Sequence, residues 1–318
     1  MMKKIFLTIL TAITCLSASA QEVPFGKGTI VVKHVANNAV RIQYVENQST
    51  EKMPEWLYVK DQEVKKGDIS VHVDAEKQCV EVLDKSGKAV FTATEHQLKA
   101  TTVAGTPTYE ARLAFNSPED EFLYGLGQFQ DGYTNVRGLS RRLTQVNTQI
   151  SIPMMLSSKG YGILWNNYGM ADFNPMDQQV ALIKGQGVGT REVVNVTSTE
   201  GGKQEVRERN RYSATIEVAE DGDYSLLLDV GQKMARRHNL VIDGKTVIEL
   251  QNMWLPPTVS TIIHLSKGTH TLSAELSNGD QPIVYYGKVK NESVFRSPMA
   301  QSVDYTVFVG TPDEIIAS

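Results

Sequence analysis

Short runs in which apolar and polar residues alternate recur along most of this chain, and they limit its fold more than any other feature. Such a period of two predicts β-strands with one buried face. Gly, Asn, Asp and Pro separate the runs and supply turns. Convincing amphipathic helices between them are missing, which argues against an α/β fold. Examples are Thr29–Val35, Ala39–Val45, Ile69–Val73 and Tyr109–Phe115. The spacing predicts an all-β protein built as an antiparallel β-sandwich.

A second set of strands follows a change in composition near Lys184. The glycine-rich segment from Lys184 to Gly189 precedes it, and the turns Asp221-Gly-Asp223 and Gly244-Lys245 lie within it. The predicted strands are Tyr212–Val218, Tyr224–Val230, His238–Asp243, Thr246–Leu250, Thr258–Leu265 and His270–Leu276. The pattern of the first strand set returns in Ser302–Val309. We therefore predict a smaller β-sandwich over residues 186–296, inserted into a first sandwich formed by 21–185 and 297–310.

The first twenty residues resemble a secretory signal. Lys3 and Lys4 precede the apolar run Ile5–Leu16, and Ala18-Ser-Ala20 fits a cleavage site. We expect residues 1–20 to be removed and the product to be exported, periplasmic or extracellular. The formal net charge of −4 falls by two on removal of the lysines. An acidic product predicts no nucleic-acid partner, and no later segment predicts a membrane span.

Two glycine-rich segments alternate glycine with aromatic and aliphatic residues. The first reads Leu123-Tyr-Gly-Leu-Gly-Gln-Phe-Gln-Asp-Gly132, and the second reads Ser157-Ser-Lys-Gly-Tyr-Gly-Ile-Leu-Trp-Asn-Asn-Tyr168. This pattern favours tight turns and close approaches between strands. We expect Trp165, in the second segment, to pack in the core and not to act as a sugar platform. Together with the strand at Ser302–Val309, the segments resemble the N-terminal, galactose-mutarotase-like β-sandwich of family 31 glycoside hydrolases, the α-glucosidase and α-xylosidase family. The inserted strands resemble a protective-antigen-like or carbohydrate-binding sandwich.

The resemblance implies that the chemistry of the complete enzyme lies elsewhere. Family members place two catalytic aspartates on a (β/α)8 barrel, and retaining glycosidases hold their two carboxyl groups roughly 5 Å apart. The family's nucleophile segment, rich in tryptophan and aspartate, does not occur in this sequence. Its acid/base segment does not occur either. The acidic run Glu119–Glu121 forms a turn whose neighbouring side chains point apart. We therefore expect no catalytic residue and no hydrolysis by this chain alone. Thr311-Pro-Asp-Glu314 matches a capping box, so we expect Thr311–Ser318 to start a helix leading to a C-terminal barrel.

Five residues are candidates for sugar contact. In the family, a loop after the Tyr-Gly-Leu-Gly motif helps to line the sugar subsites, and the matching segment here is Asn135–Gln149. Its donors and acceptors for sugar hydroxyls are Arg142, Gln145, Asn147 and Gln149. The alternative is that these residues form the solvent-exposed face of a strand. Trp254 lies in a proline-bounded loop, where its indole could stack on a pyranose or pack against another domain.

The sequence contains no residue pattern that predicts a metal site or a cofactor site. Cys79 is the single cysteine after residue 20, so no disulfide framework forms within the chain. The histidines lack metal-ligand spacing. Asp221 and Asp223 are too few carboxylates for a calcium site. We predict no metal and no cofactor.

Two functional hypotheses follow. The first is the non-catalytic N-terminal portion of an exported α-glycosidase-like enzyme. It would support the barrel and help to shape sugar subsites for retaining hydrolysis of terminal α-linked glucose or xylose. The alternative is a free-standing carbohydrate-binding or adhesion protein of two β-sandwiches. Both predict an oligosaccharide or polysaccharide partner, and the first also predicts the C-terminal barrel as a partner.

Overall fold

A computed structural model describes residues 20–46, 68–167, 169–186, 189–198 and 201–318. The predicted signal peptide lies outside the described residues except for Ala20, so it stays a prediction. Within these ranges the chain forms 24 strands and one short helix. The antiparallel, all-β class predicted from the alternating runs is confirmed. No helix in the described ranges is both long enough and apolar enough to pass through a bilayer.

The elements, in chain order, are β1 (Gln21–Phe25), β2 (Gly28–Ala36), β3 (Ala39–Val45), β4 (Ser70–Asp74), β5 (Cys79–Leu83), β6 (Ala89–Val103), β7 (Thr106–Asn116), β8 (Leu123–Gln128), β9 (Arg141–Leu143), β10 (Ile150–Ser157), β11 (Tyr161–Trp165), β12 (Ala171–Phe173), β13 (Gln178–Ala181), β14 (Ile183–Lys184), β15 (Thr190–Ser198), β16 (Gly201–Val218), β17 (Gly222–Asp229), β18 (Ala235–Ile242), β19 (Lys245–Leu255), β20 (Thr258–Leu265), β21 (Gly268–Ser277), β22 (Ile283–Lys288), β23 (Glu292–Ala300), β24 (Val303–Val309) and α1 (Pro312–Ile316).

The chain divides into two compact units. The first comprises Met1–Asn116, Leu156–Asn166 and Met299–Ser318, and the second comprises Ser117–Met155 and Asn167–Pro298. The second unit therefore holds the predicted insert, residues 186–296. It also holds residues 117–155, which include most of β10, and residues 167–185. The predicted domain boundaries at 186 and 296 stay a prediction, because compactness alone does not define an insertion.

In the first unit, strands run in the orders β1-β2-β3-β24-β11 and β4-β5-β6-β7. Aromatic side chains fill its core. The Phe91 ring lies 5.5 Å from Phe115, 5.3 Å from Tyr161 and 6.0 Å from Tyr305, measured between ring centres. Trp165 is 1% exposed, which confirms its predicted role in core packing. Aromatic pairs at these separations stabilise the folded state beyond the effect of burying their apolar area.

A buried ion pair links two neighbouring strands of the first unit. Arg41 on β3 donates from Nε to Asp304 Oδ1 at 2.9 Å and from Nη2 to Oδ2 at 2.5 Å. Gln43 and Asn166 donate to Asp304 Oδ2 at 3.1 and 2.8 Å. The carboxylate thus receives four hydrogen bonds, which compensate for the loss of its water.

The tail of the first unit confirms the predicted capping box. The Thr311 hydroxyl accepts from the Glu314 amide, and the Glu314 carboxylate accepts from the Thr311 amide at 2.8 Å. Pro312 occupies the first turn and Ile315 is buried. A turn this short has little stability of its own, so the buried isoleucine anchors it.

The second unit contains two sheets that share one apolar core. Their strand orders are β13-β22-β17-β20 and β14-β16-β21-β18-β19, with β15 pairing with β16. Leu226 and Leu228 of β17 meet Leu272 and Leu276 of β21 in this core. This sheet-on-sheet arrangement is the smaller sandwich that the second strand set predicts.

The remaining strands of the second unit pair as β23-β12-β9 and as β8 beside β10. The segment leading to β9 covers the outer face of β17 and β20. Ser140 donates its amide to Ser225 Oγ at 2.8 Å, and the Ser260 hydroxyl donates to the Ser140 carbonyl. Tyr133 extends the contact, because its hydroxyl accepts from the Ile262 amide at 3.0 Å. These bonds place the predicted sugar-contact segment on the second sandwich.

Candidate functional site

The polar loop, residues 144–149, connects β9 to β10 and closes as a tight turn. Val146 and Gln149 exchange two backbone hydrogen bonds of 3.2 Å, which leave Asn147 and Thr148 at the tip. Gln145 is exposed, and its Oε1 accepts from the Ser151 amide at 3.0 Å. Asn147 is exposed as well. The turn thus presents Asn147 to solvent, whereas the Gln145 side chain helps to hold the loop.

Arg142 is held by two carboxylates. Its Nη1 lies 2.6 Å from Asp229 Oδ2 and its Nε lies 3.4 Å from Asp172 Oδ1. Burial lowers the pKa of Arg142, but Asp172 and Asp229 outweigh burial and hold that pKa above its usual value. The guanidinium therefore joins β9, β12 and β17. Two of its five N–H donors are directed at carboxylates, and its contact with sugar stays a prediction.

Gln149 and Trp254 complete the predicted set. Gln149 is 3% exposed and donates from Nε2 to the Thr144 carbonyl at 2.8 Å. Trp254 lies on β19 and not in the predicted loop. It is 48% exposed, and its backbone carbonyl accepts from the Thr148 hydroxyl. The structure therefore brings the loop tip beside the backbone of Trp254. The exposed indole remains available for stacking on a ring.

Next to Gln149 of the polar loop lies a small cavity, here called the polar recess, of about 20 Å³. That volume accommodates a group the size of one water molecule. Its lining residues are Phe129, Gln130, Asp131, Arg141, Arg142, Gln149, His238, Leu250, Leu255, Pro256, Thr258, Val259 and Ser260. Two of the predicted residues, Arg142 and Gln149, thus share one cavity wall.

An arginine and a histidine supply the buried polar groups of the polar recess. Arg141 binds Asp131 with both terminal nitrogens, at 2.8 and 2.9 Å, and its guanidinium carbon lies 3.9 Å from the centre of the Phe129 ring. His238 Nε2 lies 2.8 Å from the Pro256 carbonyl oxygen. Burial lowers the pKa of His238 to about 4, so the ring is neutral near pH 7. The sequence pattern indicated neither residue as functional.

A wider depression, here called the outer cleft, adjoins the polar recess and has a volume of about 250 Å³. Its lining residues are Asp131, Gly132, Tyr133, Val247, Ile248, Glu249, Leu250, Val259, Ser260 and Thr261. Asp131, Leu250, Val259 and Ser260 line both spaces, so the two spaces are neighbours. Hydroxyl, carboxylate and aromatic groups together suit binding of a polyhydroxylated ligand.

Both carboxylates of the outer cleft are bound to arginines. Asp131 pairs with Arg141, and Glu249 accepts from Arg237 Nε and Nη2 at 2.9 Å each. Burial raises the pKa of Glu249, but hydrogen bonds from Arg237 and Asn239 outweigh burial and lower that pKa overall. A general acid needs a raised pKa. The arrangement therefore suits binding rather than proton transfer. Among the described residues no cluster of His, Cys, Asp or Glu could hold a metal ion.

A second feature of this unit is an exposed apolar surface on β8 and β10, here called the apolar sheet face. Its members are Phe122, Tyr124, Ile150 and Ile152. Ile150 and Ile152 are 46% and 50% exposed on one face of β10. The Phe122 and Tyr124 rings stack with centres 6.5 Å apart and planes at 10°. Two pairs of exposed apolar side chains thus lie at two neighbouring strands, and exposed apolar area of this kind marks interaction surfaces. The alternation of Ile150 and Ile152 in the sequence could have indicated it.

Comparisons with known proteins point to one group of enzymes. No family model matches the chain. The chain is 44% identical over 59 residues to an uncharacterized family 31 glucosidase of Pseudescherichia vulneris, a match that covers 19% of this chain and 11% of the relative. It is 42% identical over 76 residues to an alpha-xylosidase of Saccharolobus solfataricus, covering 21% of this chain and 10% of the relative.

The fold is similar to a solved structure over almost the whole chain. The family 31 alpha-xylosidase of Xanthomonas citri superposes with a TM-score of 0.72 at 18% identity, over 95% of this chain and 39% of that protein. Identity this low supports the fold alone. The matches cover only part of each relative, as expected for one region of a longer protein.

Proposed function

Because this chain is similar to the N-terminal region of family 31 glycoside hydrolases, we propose that it serves as the non-catalytic N-terminal portion of an exported α-glycosidase. It supports a C-terminal catalytic barrel and helps to shape the sugar subsites. The complete enzyme removes terminal α-linked glucose or xylose with retention of configuration. An oligosaccharide or polysaccharide is the partner of the site.

The observation that supports this proposal most is the apolar sheet face. Phe122, Tyr124, Ile150 and Ile152 expose large side chains on neighbouring strands, and exposed apolar area of this kind favours burial against another body. The similar Xanthomonas protein is much longer than this chain, which covers 39% of it. A further region of such a protein is the partner proposed for this face.

The outer cleft supports a binding role in place of a hydrolytic one. Asp131 and Glu249 are the carboxylates of the cleft, and each is fixed to an arginine. Neither is arranged as a proton donor for a glycosidic oxygen. Sugar hydrolysis in the complete protein is therefore assigned to residues outside this chain.

Comparing two gene products tests the proposal. One product ends at Ser318 and the other includes the coding sequence that follows. We expect the longer product alone to hydrolyse 4-nitrophenyl α-glucoside or α-xyloside, and we expect the following sequence to encode two separated aspartates on barrel strands. Hydrolysis by the shorter product, or a following sequence without a barrel, would contradict the proposal.

Replacing each candidate aspartate of the following sequence by asparagine supplies the control. Each change should remove hydrolysis by the longer product, because a retaining glycosidase needs both carboxyl groups. Replacing the exposed Glu119 of this chain by glutamine should leave the rate unchanged. A large loss with Glu119→Gln would place chemistry in this chain and overturn its non-catalytic role.

The exposed indole of Trp254 favours the alternative, a free-standing carbohydrate-binding protein. An aromatic side chain that is 48% exposed can stack on a pyranose face. That alternative expects the product ending at Ser318 to be monomeric and to bind oligosaccharides on a glycan array, with binding lost in Trp254→Ala. Self-association through the apolar sheet face would count against it.

Export belongs to the same proposal. It depends on the basic start, apolar run and small-residue cleavage site of residues 1–20. Amino-terminal sequencing of the product recovered outside the cytoplasm should begin at Gln21. An intact Met1 on the recovered product would contradict export by this signal.

A further inference from the structure

Two residues that line the polar recess each carry a buried polar atom that makes no hydrogen bond within the part of the chain that the structure describes. The atoms are Arg141 Nε and His238 Nδ1. Arg141 and His238 are 2% and 0% exposed. A buried polar atom without a partner is unfavourable, and such atoms often mark a functional position. Their occurrence on residues that line one cavity is the observation that carries the inference.

The bonding of the two side chains fixes the role of each atom. The Pro256 carbonyl can only accept, so His238 Nε2 carries the proton that bonds to it, and Nδ1 of the neutral ring is an acceptor. Arg141 uses both terminal nitrogens on Asp131, which leaves Nε–H as a donor. The residues lining the cavity therefore hold one donor and one acceptor without a partner.

This pair of atoms selects the chemistry of a ligand. An anion would meet the lone pair of His238 Nδ1 and an arginine already neutralised by Asp131. A cation would meet the Arg141 guanidinium. An apolar group would leave both atoms without hydrogen bonds. A hydroxyl group satisfies both, because its oxygen accepts from Arg141 Nε–H while its proton is donated to His238 Nδ1.

We propose that the polar recess binds the primary hydroxyl of a hexopyranose whose ring lies in the outer cleft. The inference rests on the proposed contact with sugars and names the group that is recognised. The recess is small, about 20 Å³, and it shares the lining residues Asp131, Leu250, Val259 and Ser260 with the outer cleft. A hydroxyl carried on an exocyclic methylene extends further from a ring than a hydroxyl attached directly to it. Glucosides should therefore be preferred over xylosides, which lack that methylene.

Titration calorimetry of the whole chain with three probes tests this selectivity. The probes are methyl α-D-glucopyranoside, methyl α-D-xylopyranoside and methyl 6-deoxy-α-D-glucopyranoside. The 6-deoxy compound keeps the ring and the carbon but lacks the hydroxyl. We expect the glucoside to bind about tenfold or more tightly than either other probe, because the unpaired atoms penalise them. Equal binding of the glucoside and the 6-deoxy compound would overturn the inference while keeping a sugar-binding role.

Variants and a spectroscopic measurement complete the test. His238→Leu should bring the affinity ratio of glucoside to 6-deoxy compound close to one, whereas His264→Gln, an exposed histidine on β20, should leave the ratio unchanged. If His238→Leu fails to fold, the ¹⁵N shift of His238 Nδ1 in the unchanged chain decides. It should move upfield with the glucoside and remain unchanged with the 6-deoxy compound.

Two results identify which proposal fails. If the Nδ1 shift is the same with both probes, the polar recess does not bind the primary hydroxyl. Absence of binding by all three probes would also overturn this inference, but it would leave barrel support intact, because hydrolysis by the longer gene product tests that role separately.

Discussion

At the scale of residues, burial decides which titratable groups govern the response to acid. His96 in the first unit and His238 in the second are both buried, and burial lowers their pKa values to about 3 and about 4. His96 bonds through Nε2 to the Tyr305 hydroxyl at 2.9 Å. A neutral histidine in the folded state must gain a proton in acid, so each histidine links stability to pH.

The expected direction follows from these lowered pKa values. Stability is fully present above the unfolded pKa of about 6.5 and is lost as the pH falls toward about 3 to 4. His96→Gln should flatten this dependence in the first unit, as measured by urea unfolding between pH 7 and pH 4 with tyrosine fluorescence. His72→Gln, at a half-buried position on β4, is the control for the substitution itself. An unchanged slope in His96→Gln would show that this residue does not titrate on unfolding.

The Arg41–Asp304 pair gives a second expectation for single residues. Asp304→Asn leaves Arg41 buried without its counter-charge, and breaking a buried pair costs about 3–5 kcal/mol in the free energy of unfolding. Asp68→Asn, at an exposed position, should change that free energy by less than about 0.5 kcal/mol. Similar urea midpoints for the two variants would contradict the structural role of the pair.

At the scale of elements, the glycines of β8 determine how closely it lies beside β10. A Cβ added at Gly127 would lie 2.0 Å from the Ile150 carbonyl oxygen, and its φ of +107° disfavours other residues. The Leu123–Gly132 segment therefore needs glycine for the close approach of strands as well as for turns. This explains part of the pattern on which the resemblance depends.

A pair of glycine substitutions separates these two effects. Gly105→Ala, in the turn between β6 and β7 with φ of +81° and nothing within 4 Å, should cost about 1–2 kcal/mol from backbone strain alone. Gly127→Ala should cost clearly more, because the new methyl group displaces β10. Chemical denaturation measures both costs. Equal costs would show that strand approach adds nothing to the requirement for glycine.

At the scale of the whole molecule, the apolar sheet face links the fold to the proposed function. In the longer gene product, Ile152→Ser should lower the free energy of unfolding by about 1.5–3 kcal/mol, which is the value of burying one isoleucine. In the chain ending at Ser318 the same change should cost less than about 0.5 kcal/mol, because Ile152 is exposed there. Ile183→Ser on β14, which is 68% exposed, is the matched control and should change neither product.

The outcome for each product tests whether this face is covered. Calorimetric or urea unfolding of both products gives the two differences. If Ile152→Ser and Ile183→Ser have the same effect in the longer product, the catalytic region does not cover the face. The proposed docking surface would then be wrong.

Several features could be predicted from the sequence because their causes are local. Alternation of apolar residues indicated the all-β class, since neighbouring strand residues face opposite sides of a sheet. Thr311 and Glu314 indicated the capping box, because the two side chains bond to each other's backbone within one turn. The core position of Trp165 could be predicted because the residue lies in an apolar strand.

The contents of the site depended on residues far apart in the chain. Arg142 was predicted as a sugar contact, but Asp229 lies 87 positions away and binds its guanidinium. Arg141 and His238 meet in the polar recess because β9 and β18 belong to one compact unit. Alternation specifies which side chains point inward, but it does not specify which strands will be neighbours. The sequence alone therefore determined the class of fold and the terminal cap, and tertiary structure alone decided which polar groups were paired.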